Sequence, residues 1–404
     1  MSEMYDLAVL GGGIVGLTVA RALAARHPDW SVAILEKEPA VGLHQTGHNS
    51  GVVHSGVYYR PGSLKARLCL EGREALLAFA RERSVPVRTL GKLIVAARPS
   101  EGATLSELAD RARANGVDSV RRLDAQELAD RLPGVAGCGA LEVPTAAIVS
   151  YPALARHLAT ELSAHGAAVR TGWTFERGDR DAGGWTLTGS AGRVRARGVV
   201  NCAGLQSDLV ARAMGVHPPV QIVGFRGDFY ELSPRLRARV PCLVYPVPDP
   251  AVPFLGVHLT PTIDGRLLAG PNAALALARE GYRPGVWEPR ELARLALFRG
   301  VVGLARRYAA LSAREWLRSW SPRAYLEAVR ALWPEVRRSD LGPRTSGVRA
   351  QAVRPDGSLE DDFVFVRGPG ALHVLNAPSP AATAAFAIAE RVADELDALR
   401  PFAT

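Results

Sequence analysis

At 404 residues, with 48% hydrophobic and 22% charged residues, the chain has the composition of a soluble globular protein large enough for two domains. Its formal charge of +9, carried mostly by Arg, raises nucleic acid, an anionic membrane surface and an anionic substrate as partners without choosing among them. No apolar run reaches the ~18–20 residues that span a bilayer. No export signal is visible, and Cys69, Cys138, Cys202 and Cys242 form no C-x-x-C pair, so neither a metal site nor a disulfide framework is expected and a cytoplasmic setting is.

The first predicted element is the strand Tyr5-Asp6-Leu7-Ala8-Val9-Leu10, which runs into Gly11-Gly12-Gly13-Ile14-Val15-Gly16. A helix over 14–26, rich in Ala, Leu and Val, packs on a sheet. A second strand closes on Glu36, 20 residues after Gly16. Strand, G-x-G-x-x-G, helix, strand and acid in this order form a dinucleotide-binding fingerprint. Gly11 permits the tight turn, Gly13 lets a pyrophosphate approach bare backbone, and Gly16 lets the helix pack closely on the strand. The helix N-terminus offers free N–H groups to phosphate, and Glu36 can accept hydrogen bonds from a ribose hydroxyl. This motif alone does not separate NAD from FAD.

The next segment, His44-Gln45-Thr46-Gly47-His48-Asn49-Ser50-Gly51-Val52-Val53-His54-Ser55-Gly56-Val57-Tyr58-Tyr59, is dense in small polar residues and holds three histidines. Such a loop can lie along an extended cofactor. A helix over 63–83 has Ser63 as its N-cap, 91–96 reads as a strand, and 101–131 reads as mostly helical. Pro152 opens a helix to about 165. A strand at 168–171 and a hairpin over 173–198, turning at Gly183-Gly184, lead to a buried strand ending in Ala203-Gly204. There a second backbone segment can pass close to a cofactor, before Ser207 and Asp208 start a helix.

Residues 219–275 alternate like a mixed sheet. Residues 279–340 read as helical, with 13 Arg against 7 acidic residues, and hold Trp287, Trp316, Trp320 and Trp333. A strand over 372–377 precedes Pro378-Ser379-Pro380, which opens a long Ala-rich helix to about 396. The order implies an α/β protein. A discontinuous Rossmann-like nucleotide domain comes from 1–90, 145–217 and 341–404. An inserted α+β substrate domain, a mixed sheet plus helices, comes from 91–144 and 218–340.

The 44–59 segment resembles the L-2-hydroxyglutarate dehydrogenase/oxidase family, FAD enzymes of the D-amino-acid-oxidase-like superfamily. The resemblance continues through Pro61-Gly62-Ser63-Leu64-Lys65-Ala66, Gly91-Lys92-Leu93, Phe225-Arg226-Gly227-Asp228-Phe229-Tyr230, Gly256-Val257-His258-Leu259-Thr260, Gly347-Val348-Arg349-Ala350-Gln351 and Asn376-Ala377-Pro378-Ser379-Pro380-Ala381-Ala382-Thr383. It implies an FAD held at its adenine end by Gly11, Gly13, Gly16, Glu36 and Lys37. It implies pyrophosphate and ribityl contacts at Thr46, Gly47, Asn49, Ser50 and Gly51, with Ala203 and Gly204 alongside. The flavin ring would lie near Ser379, Pro380, Ala381, Ala382 and Thr383, where a helix N-terminus favours negative charge on a reduced flavin. The last cysteine is Cys242, so a thioether from a C-terminal cysteine is impossible and non-covalent FAD is expected.

The implied reaction oxidises an (S)-2-hydroxy acid, L-2-hydroxyglutarate, to 2-oxoglutarate. Neutral imidazole suits the hydroxyl proton near pH 7, which makes His54 and His258 the catalytic candidates. A dicarboxylate needs cations, and guanidinium forks fit carboxylates, so Arg226 and Arg349 are substrate candidates, with Tyr59 a weaker one. Three alternatives stay open: glycerol 3-phosphate as substrate, an amino acid as substrate, and a flavin-containing RNA-binding protein. No Lys-rich run or aromatic RNA-binding strand supports the last, so no nucleic-acid partner is expected. Electrons pass to oxygen or quinone. The Trp-bearing segment at 279–340 reads either as a solvated lid on the substrate lobe or as a peripheral contact on the inner face of the cell membrane.

Overall fold

The computed structural model describes residues 3–249, 252 and 254–399. The strand Met4–Leu10 lies between Gly192–Asn201 and Val32–Leu35, parallel to both, and Val32–Leu35 pairs parallel with Ala168–Arg170. Ala371–Asn376 adds a further parallel strand beside Gly192–Asn201. These central strands are apolar almost throughout because helices and a β-meander cover both faces of the sheet. The helices Ile14–Arg26, Tyr151–Ala164 and Ala385–Leu399 bury one face. Phe175–Asp181, Gly184–Gly189 and the helix Ser207–Ala213 close the other.

Parallel strands place their carboxyl ends together. Met4–Leu10 ends at Gly11, Gly192–Asn201 at Cys202-Ala203-Gly204, and Ala371–Asn376 at Ala377-Pro378-Ser379. Three loops far apart in sequence therefore meet at one edge, where open α/β sheets bind ligands.

The second sheet has nine strands. Its spine is the antiparallel pair Gln221–Leu232 and Leu341–Val353, in register from Gln221 opposite Val353 to Tyr230 opposite Arg344, with a shift before Leu232 opposite Leu341. The segment 341–353 therefore belongs to this sheet, and the boundary expected at 341 falls after it. A small sheet of Val52–Val53, Ala147–Val149 and Val87–Thr89 bridges the two.

Most predicted elements form at their expected places. Ser63 caps Leu64–Glu82, its Oγ accepting from Ala66 N at 3.2 Å. Residues 101–131, read as mostly helical, form the helices Gly102–Ala114 and Ala125–Arg131 with the strand Arg121–Leu123 between them. Gly116, at φ +77°, turns the chain out of the first helix, and Asp124 caps the second. The final helix begins at Ala385, and 379–384 form turns leading into it. The helix expected to open at Pro378-Ser379-Pro380 thus starts later in the chain.

The segment expected to be helical from 279 is an irregular strap over 279–288, followed by Pro289–Leu297, Arg299–Trp320 and Pro322–Arg330. Arg279 is buried against Asp208 and Glu291, and its Nη1 also donates to the Leu205 carbonyl at 2.6 Å. Asp208 thus anchors the strap as well as standing in the first turn of its helix. The long helix is held through Ser319, which donates to Asp228 at 2.7 Å, and Glu315, which accepts from Ala273 N at 3.0 Å. None of its described residues lines the large cavity, whereas Arg279, Glu280, Glu288, Arg290 and Arg294 of the preceding segment do.

Candidate active site

One cavity of about 1510 Å³ runs from the glycine turn to the second sheet. That exceeds the ~300–1,000 Å³ of ordinary ligand pockets and leaves room for an extended cofactor plus a small substrate. Gly11, Gly13, Glu36, Thr46, Ala203 and Gly204 line one end. His54, Tyr59, Tyr245, His258, Arg349 and the segment 377–383 line the other.

At the glycine turn, Gly11 has φ +108° and a Cβ there would lie 2.6 Å from the Cys202 carbonyl. A Cβ on Gly16 would lie 2.0 Å from the Gly11 carbonyl. Gly16 does not line the cavity; it packs the helix on the turn, as its place in the motif requires. Gly13 has space, with Thr46 Oγ1 3.4 Å from its built Cβ, so the room beside it is left to a ligand. Glu36 accepts from Gly12 N at 2.6 Å and Glu38 N at 2.9 Å, which aims its carboxylate at the cavity end. Thr46 accepts from Ile14 N at 3.0 Å and so caps the helix from the neighbouring loop.

The 44–59 loop is held by its own side chains. Asn49 Nδ2 donates to the Gln45 and Thr46 carbonyls, and its Oδ1 accepts from Gly51 N at 2.8 Å. Asn49 and Ser50 line the cavity. Gly47 and Gly51 do not: their Cβ positions would each meet a backbone oxygen at 2.8 Å, from Gly42 and Val149, so they shape the loop instead. Lys37 lines the cavity but is bonded to Glu38 at 2.6 Å and Glu280 at 2.8 Å. Glu38, His44 and Glu280 bring three ligand atoms within 4.8 Å of one another, and the Lys37 ammonium already supplies their cation.

At the far end, Thr383 Oγ1 accepts from His54 N at 3.0 Å and lies 3.2 Å from the Tyr151 hydroxyl. Ser379 Oγ lies 3.4 Å from His54 Nε2 and also faces the Tyr59 hydroxyl. His54 Nδ1 is buried without a partner among the described residues. His258 Nδ1 lies 2.9 Å from the Gly256 carbonyl, an acceptor only. That fixes the proton on Nδ1 and leaves the Nε2 lone pair for the cavity. Burial, above all, pushes both imidazoles down to about 3, with Lys92 and Arg349 adding positive charge nearby.

The two arginine candidates separate. Strand side chains alternate between faces. On Gln221–Leu232, Gly227 and Phe229 line the cavity, whereas Arg226 turns to the other face. There its Nε donates to buried Asp228 at 3.1 Å and its Nη1 to the Arg283 carbonyl at 3.0 Å. Arg226 is therefore corrected to a structural ion pair. Arg349, opposite Phe225 in the pairing, faces the cavity over the Phe254 ring at 5.4 Å. Its Nη1 is buried with no partner among the described residues. A buried guanidinium with an unused donor is a ready carboxylate site.

Two residues with no assigned role in the sequence reading stand behind the histidines. Tyr245 stacks on His258 with ring centroids 3.8 Å apart, and Lys92 Nζ lies 4.3 Å from the Tyr245 ring centroid. Lys92 stood in a quoted motif, but nothing in its spacing announced this contact.

A family model described as "FAD dependent oxidoreductase" matches residues 6–395. The chain belongs to the FAD-dependent oxidoreductases. It is 42% identical over 398 residues to an L-2-hydroxyglutarate dehydrogenase of Salmonella houtenae, covering 98% of this chain and 94% of that protein. It is 39% identical over 412 residues to the mitochondrial L-2-hydroxyglutarate dehydrogenase of Homo sapiens, covering 98% and 89%. In fold it is similar to an FAD-bound L-alpha-glycerophosphate oxidase of Mycoplasma pneumoniae, with a TM-score of 0.81, 19% identity and coverage of 98% and 95%.

FAD fits what this member of the family presents. The glycine turn and helix N-terminus would receive its phosphates, Glu36 would stand at the ribose end, and the 377–383 turns would stand at the flavin end. His54 Nδ1, the Tyr58 hydroxyl and Arg349 Nη1, all on cavity-lining residues, find no hydrogen-bond partner among the described residues.

Proposed function

We propose that this oxidoreductase oxidises L-2-hydroxyglutarate to 2-oxoglutarate. The single observation that carries the site reading is the pairing of neutral imidazoles with a buried guanidinium that has an unused donor, in one cavity. Arg349 binds one carboxylate of the substrate and fixes its orientation. Lys65, whose Nζ pairs with exposed Asp361 and lies 5.8 Å from the Tyr59 ring centroid, supplies a second cation. His258 accepts the hydroxyl proton at Nε2, its tautomer held by the Gly256 carbonyl. His54 and Tyr59 close the wall beside Ser379. When bound, FAD supplies the hydride acceptor. The near full-length relatives named as L-2-hydroxyglutarate dehydrogenases support this substrate over glycerol 3-phosphate or an amino acid.

The deciding experiment is anaerobic mixing of the flavin-loaded protein with each enantiomer of 2-hydroxyglutarate and with glycerol 3-phosphate. Bleaching by the L enantiomer alone is expected. A flavin that stays yellow with it and bleaches with glycerol 3-phosphate overturns the reading.

Electron transfer to a membrane quinone is the acceptor reading that a surface feature favours. Among the described residues no helix is long and apolar enough to cross a membrane. Yet Trp287, Leu297, Val302, Trp316, Leu317 and Trp320 are large apolar side chains left exposed on one basic segment. Aromatic and aliphatic groups among arginines suit the interface of an anionic bilayer. Flotation with anionic vesicles tests this: binding at low salt is expected, and its absence favours oxygen.

A further inference from the structure

Lys92 is 1% exposed, on the strand Lys92–Ala96 of the second sheet. The parallel neighbour of that strand, Leu243–Pro246, carries Tyr245. Lys92 Nζ lies 4.3 Å from the Tyr245 ring centroid and 5.1 Å from that of Tyr58. Both tyrosines line the cavity and Lys92 does not, so the ammonium sits directly behind the wall. Among the described residues it makes no ion pair with a carboxylate; the titratable groups around it are Cys69, Tyr58 and Tyr245. A buried charge without a counter-ion is costly, and a methionine of similar length would fill the same space without that cost. Ring faces offset part of it through cation–π attraction.

The other side of the Tyr245 ring carries His258, stacked at 3.8 Å with an interplanar angle of 18°. Lys92, Tyr245 and His258 are thus a three-layer stack, with the charge at the back and the imidazole facing the cavity. The groups facing His258 are Tyr245, the Gly256 carbonyl, Arg349 and Lys92. Those facing His54 are Ser379, Lys92, His258, Lys65 and Arg349. Every formal charge in this set is positive, and Lys92 is the one that does not line the cavity.

We propose that Lys92 is a positioning residue whose ammonium, acting through Tyr245 and Tyr58, adds to burial in holding protons off His258 and His54, so that an imidazole lone pair meets the substrate hydroxyl. The inference rests on the reading of these histidines as the proton-accepting pair. A positive charge behind the imidazole repels the incoming proton. Its removal lets the histidines protonate at higher pH, and a protonated imidazole cannot serve as base.

The test uses flavin-loaded wild type, K92M, K92Q and K92R, mixed anaerobically with L-2-hydroxyglutarate across pH, with the bleaching rate as readout. The acid limb of K92M and K92Q should move up by about one pH unit, the size expected of a unit charge roughly 8–10 Å away through protein. At a fixed pH below the limb that is about a tenfold slower rate. K92R keeps the wild-type limb. Nitrogen-15 histidine NMR without substrate, with His258 assigned through H258Q, should show its imidazole protonating at correspondingly higher pH in K92M. K92Q, smaller and polar, carries the test where K92M fails to load flavin. An unmoved limb and an unmoved His258 titration in a folded, flavin-loaded neutral variant overturn the inference, as does a rate lowered equally at every pH. If H258Q and H54Q bleach as fast as wild type, the base reading fails, while the NMR titration still reports the charge effect separately.

Discussion

His258 is locked between two fixed partners, stacked on Tyr245 at 3.8 Å and held at Nδ1 by the Gly256 carbonyl at 2.9 Å. The ring therefore needs no reorganisation to present Nε2, which is the condition for an efficient general base. His54 has no equivalent orienting bond on Nδ1.

The two histidines should accordingly differ on substitution. His258→Gln should slow anaerobic flavin bleaching by about 10²–10⁴-fold with FAD retained, the usual worth of a positioned base. His54→Gln should cost less. Stopped-flow bleaching measures both, and equal losses would show that the two act as a unit.

The arginines should differ in kind. Arg349→Met removes a charge-assisted bond to substrate, so KM for L-2-hydroxyglutarate should rise about 10–100-fold with little change in stability. Arg226→Met leaves Asp228 buried without its partner and should cost about 3–5 kcal/mol in stability while leaving KM near wild type. Steady-state kinetics alongside thermal unfolding distinguish them.

Gly13→Ala separates cofactor binding from folding. Its Cβ would meet Thr46 Oγ1 at 3.4 Å, an ordinary contact, so the chain should fold. The added methyl fills the room left for a pyrophosphate, so the protein should purify with little flavin absorbance. Gly11→Ala, with a 2.6 Å backbone clash at φ +108°, should fail to fold as well as to bind.

Stability should fall in acid for a stated reason. Burial holds His54 and His258 at about 3 and His373 at about 4 in the folded chain, below the ordinary histidine value of ~6.5. Between those values the unfolded chain binds more protons, so stability rises with pH across roughly 3–6.5 and is lost as pH falls through it. Melting temperature against pH should show this slope, and His258→Gln should flatten it.

Much of the cofactor end was legible along the chain, because the fingerprint is local. A strand, a glycine turn, a helix and Glu36 are near neighbours, and hydrogen bonds such as Gly12 N to Glu36 span only a few elements. The final turns at 379–383 were legible as a segment but not as a shape. Whether the helix starts at Pro380 or at Ala385 was masked by the Ala-rich composition.

The substrate end could not be read in the same way. Arg226 and Arg349 carry the same chemistry and lie on paired strands, one residue out of step: Phe225 faces Arg349 across the ladder, and Arg226 faces Val348. Side chains alternate with a period of two, so that single step sends one guanidinium to Asp228 and the other to the cavity. Likewise Lys92 and Tyr245 are distant in sequence and meet because Lys92–Ala96 and Leu243–Pro246 lie side by side. The sequence alone carried a nucleotide site and the residue types of a hydroxy-acid oxidoreductase. Strand register and burial decided which arginine faces the cavity and what stands behind His258, because both follow from long-range pairing that no local pattern encodes.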